Sequence, residues 1–139
     1  MKRRMNGSIK GFQNENGQSL VELALILPII VLLLFGTVEF GRVFYSYITV
    51  TSGVREGVRV AAIGKNDAEI EARIREAVTL AESDTRLQIL SITPAEGSRP
   101  PGVPVTVEIR YNMPLITPLI GDYLPNPVPL TASATMRRE

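Results

Sequence analysis

Residues 23–38 read LALILPIIVLLLFGTV, sixteen consecutive positions without a charge. As a helix this run spans about 24 Å, short of a hydrocarbon core of about 30 Å. Extended to Leu20 and Phe40 it reaches about 31 Å, with Glu22 and Glu39 near the two ends. Twelve of the sixteen residues are Leu, Ile, Val or Phe, which favours insertion by roughly 4–7 kcal/mol. A carboxylate costs about 3 kcal/mol at the bilayer centre and much less at an interface, so the sum favours a membrane span. Pro28 removes one helical hydrogen bond, leaves the Ala24 carbonyl without its usual donor, and predicts a kink that a membrane helix tolerates. The alternative is a secretory signal that is removed. Two features weigh against it: Gly36-Thr37-Val38-Glu39-Phe40 is bulky and charged where a small-x-small cleavage site belongs, and the helical pattern continues past it.

Working outward, Lys2, Arg3, Arg4 and Lys10 against Glu15 give residues 1–17 a charge of +3 in a chain whose net charge is +1. By the positive-inside rule the basic end stays cytoplasmic and residues from about 45 onward lie outside. This predicts a single-pass membrane protein with a cytoplasmic N-terminus. So small a net charge gives no reason to expect a nucleic-acid partner. The 139 residues contain no cysteine and no histidine, so a disulfide framework, a thiolate metal site and the usual general base are excluded. No acidic cluster has calcium-loop spacing. An anchored hydrolase would have to use Ser/Lys or paired carboxylates, and Lys65 is the only lysine beyond residue 17. No catalytic activity, cofactor, metal or small-molecule substrate is therefore expected.

Three parts are predicted: a polar, disordered cytoplasmic leader over 1–17, a transmembrane and extended helix over 18–64, and an extracytoplasmic α+β domain over 65–139. Beyond the membrane the helix carries Val50, Val54, Val58 and Ala62 on one face, and Gly64 is a suitable stop. Gly53 and Gly57 flank that stripe as a small-xxx-small pair. Each costs roughly 1 kcal/mol in an exposed helix, so either a close approach offsets them or they are simply tolerated. Asn66-Asp67-Ala68-Glu69 has the spacing of a capping box. It opens a second helix with Ile70, Ile74, Ala77, Val78 and Ala81 as its buried stripe and a charged wet face. Leu87–Ile92 is a short apolar strand. Val103–Tyr111 and Val128–Met136 alternate apolar with polar residues, the period of half-buried antiparallel strands, with Pro104 and Pro129 suited to strand starts or edges. The loop 113–127 holds four prolines with Leu115, Ile116, Leu119, Ile120 and Leu124. It is apolar enough to pack over the sheet, touch the membrane or meet a partner.

The most informative residues lie between the leader and the apolar run: Gly17-Gln18-Ser19-Leu20-Val21-Glu22. They resemble a type IV prepilin processing site, with a glycine before the cut and a glutamate five residues into the mature chain. A membrane-embedded peptidase can reach a flexible glycine at the cytoplasmic face, and the cut leaves the helix as anchor. A lone carboxylate in lipid is costly unless paired, and the α-amine of a neighbouring subunit would pair it. The other reading is that Glu22 sits at interface depth and benefits from the helix dipole. A wider stretch, Gly17 to Ala24, then Leu27-Pro28, then Val38-Glu39-Phe40-Gly41-Arg42 and Arg55-Glu56-Gly57-Val58-Arg59-Val60-Ala61-Ala62, is similar to the TadE-like family of tight-adherence (Tad) pseudopilins. Thr131–Met136 fits the same family's habit. Related pilins often have Tyr where this chain has Leu23.

Patterning alone predicts an α+β fold with a long N-terminal anchoring helix, a second short helix and a three-stranded antiparallel sheet, and the resemblance implies that it is pilin-like. It also implies a leader cut between Gly17 and Gln18 by a prepilin peptidase and subunit assembly through Glu22, while the spacing of Gly53 and Gly57 makes those two the candidates for helix packing. Implied partners are other pilins or pseudopilins, the pilus assembly platform and the lipid bilayer. The implied role is that of a minor pseudopilin in assembly or initiation of a tight-adherence (Flp-type IVb) pilus. The alternative is an uncleaved single-pass scaffold of the same machinery.

Overall fold

The computed structural model describes residues 15–117 and 125–139, with side chains from Gly17 onward. The leader residues 1–14 and loop residues 118–124, where part of the apolar loop falls, lie outside the described residues. Three helices and three strands follow one another: α1 (Glu15–Ala62), α2 (Asp67–Ala77), α3 (Ser83–Arg86), β1 (Leu87–Thr93), β2 (Pro104–Met113) and β3 (Val128–Arg137), with a 3-10 turn at Glu96–Ser98. The arrangement is α+β: a long apolar helix, short helices and one antiparallel sheet. The chain divides into two compact units at Phe35/Gly36.

In the first unit the described residues are all helical, and Leu20 to Phe35 turn their large apolar side chains outward all round. A helix satisfies its own backbone groups, so such a segment needs no water and is suited to lipid. This is the one helix among the described residues long and apolar enough, by length and composition, to cross a membrane. It runs without interruption through Pro28.

The second unit has one core. The α1 residues Val50, Val54, Val58 and Ala61 meet Ile70, Ile74 and Val78 from the α2 segment and a sheet face of Leu87, Val105, Val107, Ile109, Tyr111, Met113 and Leu130. β2 is the central strand of the order β1-β2-β3, and every second residue from Val105 to Met113 is buried. Its other face carries Thr106, Glu108, Arg110 and Asn112. Here the Thr106 and Thr135 hydroxyls meet across strands at 2.7 Å. β1 pairs with β2 in two phases: Ile89 lies opposite Ile109, but Ser91 lies opposite Glu108 and Ile92 opposite Val107. Leu90 is the extra residue of this bulge. It shifts the alternation by one so that Ile92, not Ser91, joins the core face. Pro129 sits on the edge strand opposite Asn112, and Pro104 opens β2, where a missing N–H costs least.

α2 starts where the sequence predicts. The Asn66 side chain accepts from Glu69 N at 2.8 Å while the Glu69 carboxylate accepts from Asn66 N at 3.3 Å. α1 stops at the expected glycine: Gly64 has φ +83°, and its N–H donates to Ala61 O at 3.0 Å.

Two expectations need correcting. Ala81 is exposed because α2 ends at Ala77, where Val78 caps it and the chain turns into α3, with Glu82 left-handed at φ +53°. Met136, on the edge strand β3, is exposed although its cross-strand partner Val105 is fully buried. Between β1 and β2, Arg99 is almost fully buried. Its guanidinium is ion-paired with Asp67 at the start of α2 and donates to the Pro94 and Ile92 carbonyls.

Candidate functional site

Three groups of residues on α1 bear on function. The first is the predicted processing segment. Gly17, Gln18 and Glu22 all lie on α1, which begins at Glu15, so the Gly17–Gln18 bond falls within its first turn. Glycine holds the helical conformation poorly, which weakens the helix at this bond. Glu22 is exposed and stands one turn on from Gln18, whose side-chain amide donates to its carboxylate at 3.2 Å. The neighbouring Leu20, Val21 and Leu23 are exposed as well. Glu22 is therefore the one charged residue between Gln18 and Val38, with the polar Gln18 one turn before it and apolar residues after it.

The second group is the glycine pair. Gly53 and Gly57 face α2 directly: a Cβ at Gly53 would overlap the Val78 side chain, and one at Gly57 would come within 2.7 Å of Ile74 Cδ1. Both glycines are buried. Their missing side chains let α1 approach α2 closely within one chain, and Gly36 and Gly41 have nothing comparable beside them. Around this contact Arg73 reaches across to Glu56 at 3.2 Å and along α2 to Glu76 at 2.8 Å, and these partners raise its pKa above the ordinary value, Glu76 first.

The third group is one that the sequence does not reveal. Glu39, expected at the end of the membrane span, is 5% exposed and belongs to the second unit. Its carboxylate accepts from Thr117 Oγ1 at 3.0 Å and from Ile116 N at 3.2 Å, and pairs with Arg42 Nη1 at 2.9 Å. Arg42 in turn reaches the Pro114 carbonyl at 3.5 Å. One half-buried, hydrogen-bonded ion pair thus pins residues 114–117 to α1. The Glu39–Arg42 spacing of three residues is visible in the sequence, but the partners 77 and 78 residues away are not. Beside it lies a cavity of about 170 Å³ lined by Arg42, Tyr45, Ser46, Arg86 and Tyr111 among others. Arg42 and Arg86 are already paired, with Glu39 and Glu82 respectively, so the cavity's cationic charge is compensated.

All three groups lie on α1 between Gly17 and Gly57, which is also where a known family is matched. Residues 17–59 match the family model of TadE-like proteins. The TadE-like match opens at Gly17, spans the apolar run and the Glu39–Arg42 pair, and closes just beyond Gly57. It leaves α2 and the sheet unmatched, and no curated protein and no solved structure matches the chain.

Proposed function

We propose that this chain is a minor pseudopilin that takes part in assembly or initiation of a tight-adherence (Flp-type) pilus, without catalytic activity of its own. The observation that carries the reading is the TadE-like match opening at Gly17, the residue before the proposed cut. The chain sits in a bacterial inner membrane with residues 1–17 cytoplasmic and the 65–139 domain extracytoplasmic. A prepilin peptidase opens the first turn of α1 and cleaves between Gly17 and Gln18, which makes Gln18 the new N-terminus. Glu22 then lies one helical turn from a charged amine. A carboxylate on an apolar surface gains most from a cationic partner supplied by a neighbouring subunit's amine. Leaving lipid for a bundle of like helices costs α1 little, because its apolar side chains meet similar surroundings in both.

The second reading, an uncleaved single-pass scaffold of the pilus machinery, is supported by a specific observation. The scissile bond is already helical in the intact chain, and a peptidase needs it extended. The N-terminus of the protein from native membranes separates the two readings, by intact mass and N-terminal peptide sequencing. A start at Gln18 is expected; a start at Met1 would leave the scaffold.

A further inference from the structure

The outer face of α1 stays apolar well past the uncharged run. Val38, Phe40, Phe44, Tyr45, Tyr47 and Ile48 are all exposed, and Phe40, at 72%, stacks on Phe44 with ring centroids 6.3 Å apart. Only from Ser52, Arg55 and Arg59 does this face become polar. The charges between, Glu39 and Arg42, are turned inward and spent on each other and on the segment 114–117. That segment is held at the level of Glu39, nine residues before Ile48, which is about 13 Å along the helix axis. Its Ile116 backbone is tied to Glu39 while its side chain is 67% exposed. An exposed isoleucine is thereby fixed deep on the apolar side of the point where the helix surface becomes polar.

The surface that fits this arrangement is lipid. It is continuous in sequence with the apolar run, and its tyrosines, apolar rings carrying a hydroxyl, occur where hydrocarbon gives way to headgroups. We infer that residues 114–117 form a second membrane contact, so that residues 36–48 and Ile116 are immersed together. Glu39 makes this possible. It consumes the Ile116 N–H, the Thr117 hydroxyl and the Arg42 charge, polar groups that lipid could not satisfy. The inference rests on α1 crossing a membrane and not on leader processing.

The chain has no tryptophan, so Ile116→Trp gives a single reporter in the full-length protein. It is reconstituted in phosphatidylcholine vesicles with and without bromine on the acyl chains. Leu27→Trp in the apolar run and Ile63→Trp at the far end of α1 serve as lipid and water references. Expected for Ile116→Trp is emission blue-shifted from Ile63→Trp and lost in brominated lipid, as for Leu27→Trp. Emission matching Ile63→Trp, unquenched while Leu27→Trp is quenched, would overturn the inference. So would a blue shift without quenching that grows with protein-to-lipid ratio, since a second copy would then cover the site. Loss of quenching in Leu27→Trp itself would remove the membrane span and the inference with it. Ile116→Cys carrying a nitroxide is an independent probe in this cysteine-free chain: greater accessibility to oxygen than to an aqueous nickel complex is expected, and the reverse overturns the inference.

Discussion

Replacing Gly57 by alanine sets two effects of opposite sign against each other. In an open helix Gly→Ala gains about 1 kcal/mol of helix propensity. At Gly57 the new Cβ would fall within 2.7 Å of Ile74 Cδ1 and closer still to Cγ1 of the same side chain. Ile74 is fully buried, so it cannot swing into solvent, and overpacking a filled core costs typically 1–3 kcal/mol. The net effect is a destabilisation of roughly 0–2 kcal/mol. Gly41, with nothing within 4 Å of the same construction, provides the opposite sign in the same helix. Urea unfolding of the full chain in mild detergent, followed by tyrosine emission, measures both. A loss of 1 kcal/mol lowers the midpoint by about 0.3–1 M. Pairing Gly57→Ala with Ile74→Ala should recover part of the loss as a coupling of about 0.5–3 kcal/mol. A midpoint raised by Gly57→Ala as much as by Gly41→Ala, with no coupling to Ile74, would refute the close packing of α1 on α2.

Four other outcomes follow from the same geometry. Glu39→Ala strands the Ile116 N–H and the Thr117 hydroxyl and should cost about 1–3 kcal/mol, with faster hydrogen exchange at the Ile116 amide; unchanged exchange there would contradict the pinning. Arg99→Ala strands the Pro94 and Ile92 carbonyls and leaves the part-exposed Asp67 to solvent, and should cost about 1–3 kcal/mol, read as a lowered urea midpoint. Hydrogen bonding from Lys65, then from the Asn66 backbone, holds the Glu69 pKa below its ordinary value of 4.5. Its contribution to stability is therefore complete above 4.5 and lost as pH falls through the lower folded value, and Glu69→Gln should flatten that acid limb of a stability–pH curve. Glu22→Ala should abolish piliation while leaving membrane insertion intact, since removing a charge from lipid favours insertion; normal pili would exclude the proposed pairing role.

What the sequence made legible was local. The apolar run needs only composition to be read, the Asn66–Glu69 box only its spacing, and the alternation from Val105 to Tyr111 only a period of two. The bulge at Leu90 is partly visible, since Ile89-Leu90-Ser91-Ile92 breaks a strict alternation, but nothing in one strand says which residue is extra. α3 escaped because four residues are too few to display a helical period. Ala81 was misplaced for a related reason: helical periodicity extrapolates smoothly, and only the left-handed Glu82 reveals that the chain has already turned. Glu39 could not be read at all as a buried residue, because a charge next to an apolar run looks like its boundary until Ile116 and Thr117 are brought to it.

The wall of the core formed by Val50, Val54 and Val58 has a consequence for biogenesis. This face of α1 leaves the ribosome well before the strands that cover it, and about fifty residues separate Ala62 from the end of β2 at Met113. At roughly 5–20 residues per second the valine face waits several seconds for its sheet. Among the described residues, α2 and Val78 supply the core contacts to this face that come before the strands in sequence. The close fit of Ile70, Ile74 and Val78 over the two glycines is thus the part of the core that a chain ending before β2 already contains.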